Sequence, residues 1–204
     1  MNTNLNAITE DHLILERDNL HKWIFEIIGP YIKAPTMEIE SGLGCMSTAF
    51  AEKSISIQLS DTNRETRHFL REKFKGIEYI QHVHNIDFCR PDFELYYAQI
   101  FGAFRTIIAL NVLEKGYYEK LAFQNAKYLL SPGGNLIFLA PACTAMFYGL
   151  AEDLDNWKLY NRQYLKDLLK SDYKIVKTRY LNLGSSLGLS VLAIASKIDK
   201  NASV

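Results

Sequence analysis

The stretch Met37-Glu38-Ile39-Glu40-Ser41-Gly42-Leu43-Gly44 reads as a buried strand running into a glycine turn. A second strand, Ile55–Ser60, follows and ends in an acidic residue, Asp61. A strand, a Gly-x-Gly turn, a helix and a distant carboxylate together make a nucleotide-ribose site. The glycines let the backbone approach the ligand, and the carboxylate accepts hydrogen bonds from sugar hydroxyls. The glycine pair alone is weak evidence, and the order of the surrounding elements strengthens it.

Upstream of this stretch, Leu20, Trp23, Ile24, Ile27, Ile28 and Tyr31 recur at helical spacing, and Gly29-Pro30 ends or bends that helix. Downstream, a short helix is expected over Met46–Ala51, then a helix whose buried stripe is Thr66, Phe69, Leu70 and Phe74. A third strand, Glu78–Val83, leads into Asn85-Ile86-Asp87, and a less regular region, Pro91–Ala103, precedes the apolar strand Thr106–Leu110. Tyr118, Leu121, Ala122, Asn125 and Leu129 mark a helix closed by the turn Ser131-Pro132-Gly133-Gly134. The strand Asn135–Ala140 follows, then an aromatic-rich connection, Cys143–Tyr160, and a helix over Asn161–Leu169. Two late strands, Lys174–Leu181 and Ser190–Ser196, are joined by the turn Gly184–Gly188.

Alternating strands and helices imply a mostly parallel sheet with helices on both faces. The short connection between the last two strands implies an antiparallel partner at the edge. The expected architecture is a single α/β domain: a doubly wound, Rossmann-like, seven-stranded sheet with an N-terminal helical cap. Residues 1–33 form the cap, 34–197 the core and 198–204 a tail.

Composition narrows the function classes. Lysine and arginine number 23 and so do aspartate and glutamate, so there is no basic excess to suit nucleic acid. The three cysteines, Cys45, Cys89 and Cys143, are far apart and odd in number, which suggests neither a disulfide framework nor a metal site. They read as reduced thiols of a cytoplasmic protein. No secretory signal and no membrane span is expected. His82 and His84 face one side of a strand, but without a paired carboxylate or cysteine at ligand spacing they read as strand-edge residues, not metal ligands.

From these residues outward the chain resembles the class I S-adenosylmethionine-dependent methyltransferases, over nearly its whole length. The likeness is to bacterial small-molecule enzymes with an Asn-Val-Leu-Glu-His signature after the fourth strand, here Asn111-Val112-Leu113-Glu114-Lys115. A Leu-Ser-Pro-Gly-Gly turn (Leu130–Gly134), an apolar strand and Pro141-Ala142 follow as in the family, and the segment from Phe147-Tyr148 to Leu159-Tyr160 matches its next, aromatic part. The upstream Asn19-x3-Trp23 helix resembles the family's cap.

The resemblance implies S-adenosylmethionine as cofactor. Glu38 would organise its amino group, Gly42 and Gly44 would approach its carboxypropyl and ribose portion, and Asp61 with Thr62 would hold the ribose. Asp87 would accept from the adenine amine, and Asn111 and Val112 would face the methionine and the acceptor. Trp23, Phe147, Tyr148 and Trp157 are expected to line an apolar acceptor pocket, with Lys115, His84 or Tyr148 as candidate bases. The partner expected is a small organic acceptor, with no nucleic acid and no membrane, for a monomer or homodimer.

Several positions depart from the family pattern. Glu40 replaces the first glycine of the turn, and Lys115 replaces the signature histidine. Asp155-Asn156 stand where the family has Gly-His. These departures motivate a second reading, a non-methylating binding module or partner subunit on the same fold. A third reading is a nicotinamide-dependent oxidoreductase; against it, Gly42-x-Gly44 continues to Ser47 where that fingerprint expects Gly or Ala.

Overall fold

The computed structural model describes residues 20–110, 119–142, 160–182 and 189–199. In chain order its elements are α1 (20–28), a 3-10 turn Gly29–Tyr31, β1 (Thr36–Glu38), α2 (Cys45–Glu52), β2 (Ile57–Ser60), α3 (Arg64–Lys73) and β3 (Ile80–His84). These are followed by α4 (Phe93–Tyr97), a 3-10 turn Ala98–Ile100, β4 (Phe104–Ala109), α5 (Glu119–Leu129) and β5 (Leu130–Pro141). The last are α6 (Arg162–Leu169), β6 (Tyr173–Asn182) and β7 (Leu189–Lys197).

The described strands form a seven-stranded sheet in the order β3-β2-β1-β4-β5-β7-β6. β1 to β5 pair in parallel, while β7 runs antiparallel to both β5 and β6. The expected mostly parallel sheet with an antiparallel edge is therefore present, and the reversed strand β7 sits just inside the edge strand β6.

Both faces of the sheet are buried, which is why β4 and β5 read as continuous apolar runs. Alternate residues divide between two cores. Ile107, Ala109, Leu136, Phe138 and Ala140 pack with Phe93 of α4, Phe123 of α5 and Leu165 of α6. Ile108, Ile137 and Leu139 pack on the other face with Ile24 and Ile28 of α1, Phe50 of α2 and Leu70 of α3. The edge-to-face pair Phe25–Phe50, with ring centroids 5.0 Å apart, fixes α1 against α2.

Several local expectations change. In α3, Leu70 is fully buried but Phe69 is 44% exposed, because the sheet contacts a narrower stripe than the apolar residues suggest. The region Pro91–Ala103 contains α4, which buries Phe93 and leaves Leu95 and Tyr96 exposed. The Ser131–Gly134 turn lies inside β5: Leu130 pairs with Phe104, and after a register shift Asn135 pairs with Thr106.

Candidate functional site

The strand order reverses between β1 and β4. In open α/β sheets the crevice beyond the carboxyl ends of the strands at such a point is where ligands bind. β1 ends there at Glu38, β2 ends at Ser60 followed by Asp61, and Asp87 follows β3.

Asp61 links these ends. Its Oδ2 accepts from the Gly42 N–H at 3.1 Å, and its Oδ1 accepts from the Asn63 N–H at 2.8 Å. Only 4% of the residue is exposed. The cap of α3 is Asn63, whose side chain accepts from the N–H groups of Glu65 and Thr66, so Asp61 is not needed for that purpose. Arg67 Nη1 donates to the carbonyls of Asp61 and Thr62 and holds this corner from below.

The glycine turn is rigid on one side and open on the other. Gly42 and Gly44 have φ of +54° and +71°, a region that favours glycine. A Cβ on Gly42 would meet nothing within 4 Å, whereas one on Gly44 would stand 2.7 Å from Cε2 of Phe74. The Gly44 face packs on α3, and Lys73 of α3 donates to the Leu43 carbonyl at 2.7 Å. The Gly42 face is open among the described residues.

Glu38 is buried and directed at α2. Its carboxylate accepts from the Ser47 hydroxyl, and burial pushes its pKa up to about 7 against the opposing effect of Ser47, Ser41 and Lys73. Ser60 Oγ donates to the Glu38 carbonyl at 3.1 Å, which ties β1 to the end of β2.

Glu40 keeps the glycine-like backbone, with φ +53°. Its side chain is half-buried, and burial and then the charge of Asp61 raise its pKa.

Asp87 Oδ1 accepts from the Cys89 N–H at 2.8 Å, and the Asp87 N–H donates to the Tyr97 hydroxyl at 3.2 Å. The segment is clamped from α5 by Asn125, whose Nδ2 donates to the carbonyls of Phe88 and Arg90 at 2.6 and 3.0 Å. Asn125 and Tyr97 are positioning residues that sequence reasoning did not assign to the site. The only signal for Asn125 is a polar residue on the buried stripe of a helix.

His84 meets this cluster through its backbone carbonyl, which accepts from the Asp61 N–H at 3.2 Å, while its side chain is engaged elsewhere. It is on the outer strand β3, its Nε2 is 2.8 Å from Gln58 Oε1, and burial lowers its pKa. At about 4.8 Å per strand it stands roughly 14 Å from β4, too far to act as a base beyond β4 or β5. Its ring centroid is 5.7 Å from that of His82, and no group of three His, Cys, Asp or Glu among the described residues is placed to hold a metal ion. Trp23 is 39% exposed on α1. Asn111, Val112, Lys115, Phe147, Tyr148, Asp155, Asn156 and Trp157 lie outside the described residues.

At the other end of the crevice, Tyr160 forms a parallel bridge with Ala142 just after β5. Its hydroxyl donates at 2.8 Å to the buried carboxylate of Glu119, which also accepts from Tyr164. This polar knot joins the start of α5 to the start of α6.

No protein-family model matches the chain, and no curated protein matches it by sequence. Solved structures match its fold. A SAM-dependent methyltransferase from Methanosarcina mazei aligns with TM-score 0.68 at 16% identity, covering 84% of this chain and 97% of that one. An N-methyltransferase from Bradyrhizobium japonicum aligns with TM-score 0.64 at 16% identity, covering 89% and 96%. Magnesium protoporphyrin IX methyltransferase from Synechocystis, solved with bound SAH (S-adenosylhomocysteine), aligns with TM-score 0.63 at 16% identity, covering 96% and 87%. The strand order, the glycine turn after β1 and these alignments together establish that the chain has the Rossmann-like fold of the SAM-dependent methyltransferases.

Proposed function

We propose that the chain is an S-adenosylmethionine-dependent methyltransferase acting on a small organic acceptor. The observation that carries this reading is Asp61. It is a nearly buried carboxylate at the end of β2, tied by one oxygen to the open Gly42 turn. Each carboxylate oxygen can accept more than one hydrogen bond, so Asp61 keeps capacity for the two ribose hydroxyls. The free face at Gly42 leaves room for the adjoining chain of the cofactor.

S-adenosylmethionine, when bound, supplies a methyl group on a positively charged sulfur. The residues present fit the rest of that molecule. Asp61 would fix the ribose, and Asp87, held by Tyr97 and the Cys89 N–H, would accept from the adenine amine. The acceptor would sit beyond β4 and β5, in line with the sulfur–methyl bond. Positioning and exclusion of water supply much of the rate for such a transfer. An oxygen acceptor must lose its proton and an amine must arrive unprotonated. His84 is too distant for that task, and the other expected bases, Lys115 and Tyr148, remain proposals.

The first test is calorimetric titration with S-adenosylmethionine and S-adenosylhomocysteine. Asp61→Ala should weaken both by about 1.5–3 kcal/mol, roughly 10- to 150-fold, because a carboxylate accepting two bonds is lost. Asp61→Asn retains an acceptor for the Gly42 N–H and controls for loosening of the turn. Unchanged affinity in both variants removes the ribose assignment.

The second reading, a non-methylating module, is favoured by Glu40, which stands with a positive φ at the turn where the family has glycine. Wild-type protein that binds neither compound would select it.

A further inference from the structure

A cofactor cradle on this fold needs one carboxylate for the ribose and one for the adenine edge, and this chain adds a third. Glu40 stands at the mouth of the crevice, between Ile39, whose N–H donates to the Ile108 carbonyl of β4 at 2.8 Å, and Ser41, whose N–H donates to the Ser60 carbonyl of β2 at 2.9 Å; its side chain is half-buried and within reach of the charges of Asp61 and Asp87. The charges acting on it among the described residues are those two acids, and the nearby Cys89 thiol, whose pKa is raised by burial, Asp87 and Glu40, adds no positive charge. Lys73 compensates Glu38 instead and donates to Leu43.

The methyl donor and its demethylated product differ by one methyl group and one positive charge, both on the sulfur. That sulfur is one carbon from the ribose ring, so a ribose held on Asp61 brings it within about a Debye length, roughly 10 Å, of any group beside Asp61. Asp61 and Asp87 make specific hydrogen bonds that both compounds share. Glu40 stands beside that pair and is assigned no hydrogen bond of this kind. What it contributes is charge.

Resting on the methyltransferase reading, we propose that Glu40 is a specificity-determining residue that makes the cradle prefer the cationic methyl donor over its neutral product. The residue holds an unfavourable backbone conformation that glycine would relieve, and it places an acid among acids. A bound cation offsets the mutual repulsion of these carboxylates, and a neutral ligand does not. The preference belongs to the ionised carboxylate, so it grows as pH rises through the Glu40 titration and fades below it.

The test is titration of wild type, Glu40→Gln and Glu40→Gly with S-adenosylmethionine and S-adenosylhomocysteine, above and below neutrality. Glutamine keeps the shape but not the charge, and glycine removes the backbone strain. The wild-type preference for the donor should fall about three- to tenfold in both variants, mostly through weaker donor binding. Donor binding to wild type should also release a proton, read as a dependence of the apparent heat on buffer ionisation, and this release should be absent in Glu40→Gln. A donor-to-product ratio unchanged by both substitutions overturns the inference while leaving the cofactor reading intact. Binding of both compounds to Glu40→Gly but not to wild type would show that Glu40 blocks the cradle. Failure of every variant to bind either compound would overturn the inference together with the reading beneath it.

Discussion

Glu38 lies at the end of β1 with 5% of its surface exposed, and its carboxyl is pushed up to about 7 by burial. In an unfolded chain it titrates near its ordinary value of 4.5. Between these values the folded protein holds a proton that the unfolded chain has released. Rising pH therefore costs stability across this window, by on the order of 3 kcal/mol in the limit. Glu38→Gln should flatten that part of the profile and raise stability relative to wild type at about pH 8. Urea unfolding of both proteins at several pH values measures the difference. If wild type instead gains on Glu38→Gln as pH rises, the carboxylate is ionised and stabilising.

The two glycines of the turn should respond differently to alanine. At Gly42 only the left-handed backbone is penalised, at about 1 kcal/mol. At Gly44 the new Cβ would also drive against Phe74, where 2.7 Å is available, and the total should reach about 2–4 kcal/mol. Chemical denaturation of the pair reads both costs, and equal losses would show that Phe74 yields freely. The sequence announces the glycine turn but not this asymmetry, which depends on what α3 brings beneath Gly44. The same holds for Glu40: its type is visible in the chain, and its φ and its neighbours Asp61 and Asp87 are not.

Among the elements, α5 links core and site. Its apolar residues pack on the sheet, while Asn125, 2% exposed, spends its amide on the carbonyls of Phe88 and Arg90. Asn125→Leu should leave those buried carbonyls without donors and cost about 2–4 kcal/mol. The Asp87 segment should loosen with it, so affinity for S-adenosylhomocysteine should fall several-fold even where the protein remains folded. Thermal unfolding and titration report the two effects separately. A stability loss with unchanged affinity would confine Asn125 to the core.

The central strands were legible because their alternate residues feed two cores and leave long apolar runs, as in β4 and β5. α4 was not. It spans five residues, begins after Pro91-Asp92, and buries Phe93 while exposing Leu95, so no clear periodicity exists to find. The Ser131–Gly134 turn misleads in another way. Its composition signals the end of an element, yet β4 continues alongside and pairs on both sides of the interruption.

At the scale of the whole molecule, alternation of strands and helices was enough to anticipate the doubly wound sheet, since each buried face demands its own layer of helices. The order of the last two strands was not anticipated. A short connection says that β6 and β7 pair; it does not say which of them meets β5. The structure places β7 there, with Ile137 opposite Ile194 and Leu139 opposite Leu192. The strand ends that border the candidate site, at Glu38 and Ser60, follow from the same alternation. Contributions that converge from distant segments, such as Tyr97 and Asn125 on the Asp87 region, were hidden by chain separation.

The inserted position of β7 also orders events during synthesis. β6 is made first, but among the described residues its one sheet neighbour is β7. Until residues 189–197 are available, β6 has nothing to join, and the β5 edge, with Phe138 and Leu139 along it, lacks its partner. The nascent chain therefore carries an open hydrogen-bonding edge late in translation, the kind of surface that invites misassociation.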